Sequence, residues 1–303
     1  MTNFKKQLEK YLGTDRIKEN FNLSPYLTLR TSTTAQYYFE AESRNDLIKA
    51  QKIALHLKLP LFILGGGSNL AIIKNKLDGL IVRNKYIAKK IENQKGHVML
   101  TVSSGYPITK LAKELADVGY EGLEFHFGLP GTIGGALYMN SKWTKPLTYV
   151  GDNLVSANLL DKNGEEKTVR QSYFNFAYDQ SILQKSKEIL LEAIFKLKKS
   201  DPITAKHHAD SAMDYRKKTQ PFGVFTSGCF FRNVNGESAG KMVDQAGLKG
   251  KRIGKFHISD KHANFIIHDG DGKPEDLKKL LQLIKNKVKD KFGVKLQEEV
   301  IVI

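Results

Sequence analysis

The chain alternates between amphipathic stretches and short apolar runs. Phe4, Leu8 and Leu12 recur at helical spacing and predict a short helix over residues 4–12. Residues 28–39, rich in Thr and Tyr, read as a strand. Ser43 followed by Asp46 predicts a helix start, with Leu47, Ala50, Ala54 and Leu57 on the buried side. Leu61–Leu64 is an apolar strand that runs into glycine, and 77–82 and 98–103 read as further strands. Over 108–118, Ile108, Leu111, Leu115 and Val118 repeat at the helical period. Strands follow over 153–161 and 189–197, flanking a turn at Asn163-Gly164, while 173–183 has no clear period.

The polar stretch 198–215 predicts a domain boundary. Beyond it lie a strand-like GCFFRN at 228–233 and a helix burying Ala239, Met242, Val243 and Ala246. A strand over 263–268, a helix carrying Leu277, Leu280, Leu281, Ile284 and Val288, and a last strand over 299–303 complete the pattern. The class is α+β.

Two glycine-rich turns interrupt this pattern, each after an apolar run. One is Gly65-Gly66-Gly67-Ser68-Asn69; the other lies in GLEFHFGLPGTIGGALYMN at 122–140. Glycine admits positive φ and close backbone approach, and bare amides converge on anions. The pair predicts a clamp on an extended phosphate-bearing cofactor. Neither run is a GxGxxG opening a helix, and no GxxxxGK[ST] occurs, so neither a Rossmann fold nor a P-loop is indicated.

Composition narrows the partners. The 303 residues carry 48 Lys+Arg against 32 Asp+Glu, a net charge of +16. Such a charge suits nucleic acid or a polyanionic small ligand. The lysines are spread along the chain and lack interleaved aromatics, so no nucleic-acid partner is expected. No apolar run approaches the ~20 residues of a membrane span, and the N-terminus has no apolar signal core. The single cysteine, Cys229, excludes an intrachain disulfide, and a cytoplasmic location is expected. His126, His207, His208, His257, His262 and His268 show no metal-ligand spacing, so no metal is expected.

Six stretches together resemble one family, the UDP-N-acetylenolpyruvoylglucosamine reductases (MurB). They are LGGGSNL at 64–70, GLEFHFGLPGTIGGALYMNS at 122–141, SGCFFRN at 227–233, AGLKGKRIG at 246–254, SDKHANFII at 259–267 and FGVKLQEEV at 292–300. The similarity runs from about residue 28 to the C-terminus, in family order, and fits the shorter type that omits an extra substrate loop. It implies a two-lobed FAD-binding domain of the PCMH/vanillyl-alcohol-oxidase type over 1–200, with lobes of about 1–84 and 85–200. A C-terminal α/β substrate-binding domain would occupy 201–303. It further implies a monomeric enzyme of peptidoglycan precursor synthesis, in which NADPH and FAD reduce the enolpyruvyl ether of a UDP-sugar to the lactyl ether.

Residue by residue, the resemblance places FAD on Leu64, Gly65, Gly66, Gly67, Ser68, Asn69 and Leu70, and on Gly128, Pro130, Gly131, Thr132, Gly134 and Gly135. The proton donor, usually Ser, falls on Cys229, whose thiol ionises far more easily than a hydroxyl. The alternative for Cys229 is a small buried core thiol. The catalytic glutamate falls on Glu299, and strand alternation would turn Glu298 to solvent. Tyr178, Arg216, Asn233, Lys261 and His262 fall in the substrate site, with His262 structural or substrate-adjacent rather than catalytic.

Three positions depart from the family. Its Tyr-Arg-x-Ser is Tyr178-Asp179-Gln180-Ser181 here, so the catalytic arginine position is Asp179. Aspartate repels the charge that develops on a substrate carboxylate, and loss of one such donor costs ~10²–10³-fold in rate. Arg216, Lys217 or Lys218 is a candidate replacement cation. Thr219 stands where the family has Lys, and Arg30-Thr31-Ser32-Thr33-Thr34-Ala35 replaces Arg-x-Gly-Gly-Pro-Ala. A diverged flavoprotein with another substrate, or none, is the alternative.

Overall fold

The computed structural model describes residues 4–303. The chain divides into two compact units, each discontinuous in sequence. The first comprises the segment ending at Glu19, Tyr37–Gly66 and Gly79–Arg216; the second comprises Asn20–Gln36, Gly67–Asp78 and Lys217–Ile303. The polar stretch 198–215 is mostly one helix, Pro202–Thr219, whose Ala205 and Ala209 pack with Ala116 of the first unit.

Periodicity placed the helices of the first unit well. Phe4–Leu12 buries Leu8 and Leu12. Arg44–His56 starts at Ser43, whose Oγ accepts the Asp46 N–H at 3.1 Å. Ile108–Asp117 buries Ile108, Leu111 and Leu115, but Val118 is exposed: it caps the helix, and Gly119 at φ +75° turns the chain away. The expected strand over 28–39 is Thr34–Ala41, because Arg30 at φ +56° breaks the extended chain before it.

Leu61–Leu64 lies parallel to Lys76–Asn84, with Leu61 opposite Leu80. The larger sheet is antiparallel, ordered Glu166–Arg170, Leu154–Leu160, Ile189–Lys199, His97–Ser103 and Lys89–Gln94. The strand across the Asn163-Gly164 turn is therefore Glu166–Arg170, not 189–197. Its EKTVR sequence is polar at every position but Val169, so no apolar alternation marked it. Inward residues of this sheet, among them Val98, Leu100, Ala157, Ala193 and Phe195, form one core with Leu111, Leu115, Ile133 and Leu137.

The second unit packs the helices Ala239–Gln245 and Pro274–Phe292 on a sheet of Arg252–Ile253, Phe256–Ile258 and Ile266–His268. Pro274 opens the long helix, Glu275 and Asp276 sit in its first turn, Lys289 and Lys291 in its last, and Gly293 at φ +70° ends it. That charge order complements the helix dipole. GCFFRN forms no regular strand; it makes isolated bridges at Cys229 and Phe231. The last strand is only Ile301–Val302, so Glu299 precedes it.

Candidate functional site

In the first unit the two glycine runs meet. Leu64 ends its strand and passes the chain to Gly65 and Gly66. A Cβ added at Gly65 would stand 2.7 Å from Thr132 Oγ1, and one at Gly66 2.6 Å from the Cα of Gly131. Backbone touches backbone where no side chain fits. After Pro130, Gly131 takes φ +117°, and its carbonyl accepts the Ile108 N–H at 3.1 Å. Thr132 then caps the helix Ile133–Met139, its Oγ1 accepting the Gly135 N–H at 3.3 Å. Gly134 donates to the Ser104 carbonyl at 2.8 Å.

Gly128 lies beside a buried cation. Its N–H donates to Thr109 Oγ1 at 2.7 Å, and an added Cβ would press on Arg216 Cδ at 3.0 Å. Arg216 is only 6% exposed, and its guanidinium carbon sits 4.6 Å from the Trp143 ring centroid. Its Nε and Nη2 are buried with no hydrogen-bond partner in the chain. Burial pulls its pKa down to about 10. His126 is buried too, and neither ring nitrogen has a partner. Burial first, then the charge of Arg216, pushes its pKa down to about 3, so the ring is neutral. Orphaned buried polar groups are costly in a finished interior.

Tyr178 and Asp179 form the tip of a tight turn in the same unit, where Ala177 and Gln180 exchange N–H···O bonds at 3.1 and 3.2 Å. Asp179 takes φ +51° and is 4% exposed, while Tyr178 is exposed. The turn is fastened to the end of the glycine-rich helix: Ser181 Oγ and Gln184 Nε2 both donate to the Tyr138 carbonyl, at 2.7 and 3.0 Å. Lys142 Nζ lies 3.3 Å from Asp179 Oδ2 and 3.3 Å from the Tyr178 ring centroid. Lys142 is thus a cation at the Asp179 carboxylate.

The second unit gathers the remaining expected groups. Gly67, at φ +62°, packs so closely that a Cβ would stand 2.3 Å from the Tyr26 carbonyl oxygen. The Asn69 carbonyl accepts the Ile301 N–H at 3.0 Å, and Leu70 pairs with Ile301 in parallel. The Leu70 carbonyl accepts Ser227 Oγ at 2.7 Å. Cys229 is half-buried and bridges Phe265; Phe231 bridges Glu298; the Glu299 N–H donates to the Phe230 carbonyl at 2.8 Å. Ser68–Leu70, Cys229 and Glu299 thus belong to one hydrogen-bonded set of segments. Glu298 is half-buried and paired with Lys285 at 2.9 Å, rather than simply solvated.

Of the other expected residues, His262 joins this set through its carbonyl, which accepts the Phe265 N–H at 2.9 Å. Asn233 is exposed, and its Oδ1 caps the Ala239 N–H at 3.1 Å. Lys261 Nζ donates to the Lys217 carbonyl at 2.8 Å. His262 is half-buried, its pKa lowered by burial, and its Nδ1 accepts the Asn264 N–H at 3.3 Å.

Comparison with known proteins gives two domain matches. Residues 220–303 match the UDP-N-acetylenolpyruvoylglucosamine reductase, C-terminal domain, and residues 35–170 match the FAD binding domain. The UDP-N-acetylenolpyruvoylglucosamine reductase of Protochlamydia amoebophila is 36% identical over 286 residues, 94% of this chain and 93% of its own length. The chain belongs to the UDP-N-acetylenolpyruvoylglucosamine reductase family.

A second reductase, from Bacillus pumilus, is 33% identical across 100% of this chain and 99% of its own. The crystal structure of the Thermus caldophilus reductase superposes with a TM-score of 0.79 at 27% identity, covering 95% of this chain and 98% of its own. Alkyldihydroxyacetonephosphate synthase shares the fold, with a TM-score of 0.50 at 12% identity over 99% of this chain. The α+β class with an FAD-binding domain is therefore established.

The residues present fit FAD. Gly66 and Gly131 bring backbone against backbone with no room for a side chain at Gly66, and Arg216 offers buried donors with no internal acceptor. Four residues to which the sequence reading gave no role stand out in the structure. Lys142 and Trp143 sit in a stretch with no motif; His126 carried no spacing signal; Asn264 lay inside a recognised stretch without a role. Asn264 is 4% exposed and clasps Phe231, accepting its N–H at 3.0 Å and donating to its carbonyl at 2.8 Å.

Proposed function

We propose that the chain catalyses the FAD-dependent, NADPH-driven reduction of UDP-N-acetylenolpyruvoylglucosamine to UDP-N-acetylmuramate, the reductive step of peptidoglycan precursor synthesis. One observation carries the reading most directly: identity of 33–36% to named reductases over nearly the whole chain, in a protein whose two glycine turns meet at Gly66 and Gly131.

The net reaction adds a hydride and a proton across the enolpyruvyl double bond and oxidises NADPH to NADP⁺. FAD, when bound, passes the two electrons from nicotinamide to alkene. The chain's own residues have three tasks. Leu64, Gly65 and Gly66 with Gly131, Thr132, Gly134 and Gly135 hold the cofactor through main chain. Arg216, desolvated against Trp143, supplies a fixed positive charge with unengaged donors. Cys229 delivers the proton to the carbon beside the carboxylate, and Glu299 accompanies it from the neighbouring segment. Tyr178, Asn233, Lys261 and His262 contact the sugar nucleotide in this reading.

No helix among the described residues is long and apolar enough to cross a membrane. A monomer working in the cytoplasm fits the reading. The experiment uses purified holoprotein under anaerobic conditions. NADPH should bleach the flavin absorbance, and the enolpyruvyl sugar nucleotide should restore it with formation of the lactyl ether. Bleaching without substrate-dependent recovery would leave the diverged flavoprotein instead; a protein that holds no FAD would defeat both.

A further inference from the structure

We infer that Lys142, held by Asp179, is the cation that receives the substrate carboxylate in this chain, in place of the arginine that the family carries at position 179. The inference rests on the function proposed above and names a residue that it leaves open.

The geometry is specific. Lys142 follows the glycine-rich helix Ile133–Met139 by three residues, after a left-handed Asn140 at φ +47°. That asparagine donates from Nδ2 to the Ala177 carbonyl at 3.2 Å, and its Oδ1 accepts the Gly151 N–H at 3.3 Å. The turn bearing Tyr178 and Asp179 is thereby fixed to the segment bearing Lys142. Gln184 Nε2 also bonds the Asp179 carbonyl at 3.0 Å, which holds the left-handed backbone of Asp179 in place. The Lys142 ammonium meets both Asp179 oxygens, at 3.3 and 3.4 Å, and lies against the Tyr178 ring face at 3.3 Å from its centroid.

The chemistry follows from the donor count. Ammonium is a compact positive charge with three N–H donors and no acceptor, so it attracts a second carboxylate by charge as well as holding the first. Asp179 is buried and Lys142 is mostly so, with 6% and 18% side-chain exposure. A charge held there is screened little by solvent. Aspartate at position 179 then ceases to be a repulsive group: it positions the ammonium beside Tyr178, the exposed aromatic of the same turn. Lysine presents a point charge rather than a planar fork, so the carboxylate is held by charge more than by paired hydrogen bonds.

The test uses full-length holoprotein and two equilibrium ligands, UDP-N-acetylmuramate, which carries the carboxylate, and UDP-N-acetylglucosamine, which lacks it. Lys142→Met combined with Asp179→Asn removes both charges together and leaves no buried carboxylate unpaired; FAD content reports folding. Calorimetric titration of the unaltered protein should show a preference for the carboxylate ligand. In the double variant that preference should fall by about tenfold or more, with affinity for UDP-N-acetylglucosamine retained. Substrate-dependent reoxidation of the reduced flavin should slow by ~10²–10³-fold, and Lys142→Arg should recover most of it.

A double variant that holds FAD and keeps the full preference overturns the assignment and reduces the pair to a structural ion pair, with the proposed function intact. An unaltered protein that binds neither ligand overturns the assignment together with that function.

Discussion

A Cβ placed on Gly66 would lie 2.6 Å from the Cα of Gly131, closer than real contacts of that kind come. The two residues are 65 positions apart in sequence, yet Gly66 has no room for a side chain and Gly131 holds a φ of +117° that L side chains rarely adopt. Gly66→Ala should therefore displace main chain, not a mobile side chain. The expected cost is ~1–3 kcal/mol of stability, read as a lowered denaturant midpoint, together with loss of FAD during gel filtration. A variant that keeps both would show that the turns are not in register for the cofactor.

Arg216 should show the opposite balance. Its guanidinium is buried over Trp143 with Nε and Nη2 unpartnered, so it contributes little to the folded state alone. Arg216→Met is expected to leave the apoprotein's melting temperature unchanged or higher, while FAD affinity falls at least tenfold. Fluorescence titration of apoprotein with FAD measures the second effect and differential scanning calorimetry the first.

His126 predicts an acid limb in the stability curve. Its folded pKa, about 3, lies below the ordinary value of ~6.5. The unfolded chain thus binds the proton first, and stability present above pH ~6.5 is lost as pH falls toward 3. At pH 5 the loss from this group is ~2 kcal/mol, from 1.36 kcal/mol per pH unit. Urea midpoints measured between pH 7 and 4 should flatten by about one proton's slope in His126→Leu. An unchanged slope would place the titration elsewhere.

Asn264 bridges both main-chain groups of Phe231, two residues beyond Cys229. Asn264→Ala strands a buried N–H and a buried carbonyl and should cost about 2–4 kcal/mol. Thermal unfolding measures it; a loss under 0.5 kcal/mol would mean that the segment finds other partners.

Cys229→Ala should retain flavin reduction by NADPH and slow substrate-dependent reoxidation by ~10²–10⁴-fold, the range of a lost general acid. Stopped-flow absorbance separates the two half-reactions. Reoxidation at the unaltered rate would remove the thiol from the chemistry.

Much of this protein was legible before any coordinates. Helices such as Ile108–Asp117 and Pro274–Phe292 announce themselves because one side of a 3.6-residue period is apolar, a purely local property. The glycine runs and the order of six stretches pointed to a flavin-binding reductase for a similar reason: each signal lies within about 20 residues. Tertiary structure decided what local pattern does not encode. The polar strand Glu166–Arg170 exists because Leu154–Leu160 offers it a ladder. Resemblance put Arg216 in the substrate site, but only the fold buries it against Trp143 and Gly128. Lys142 and Asp179 lie 37 residues apart and look unrelated until a fastened turn brings ammonium to carboxylate. Burial and long-range pairing set the charge state and the partners of these groups, and both are properties of the folded chain alone.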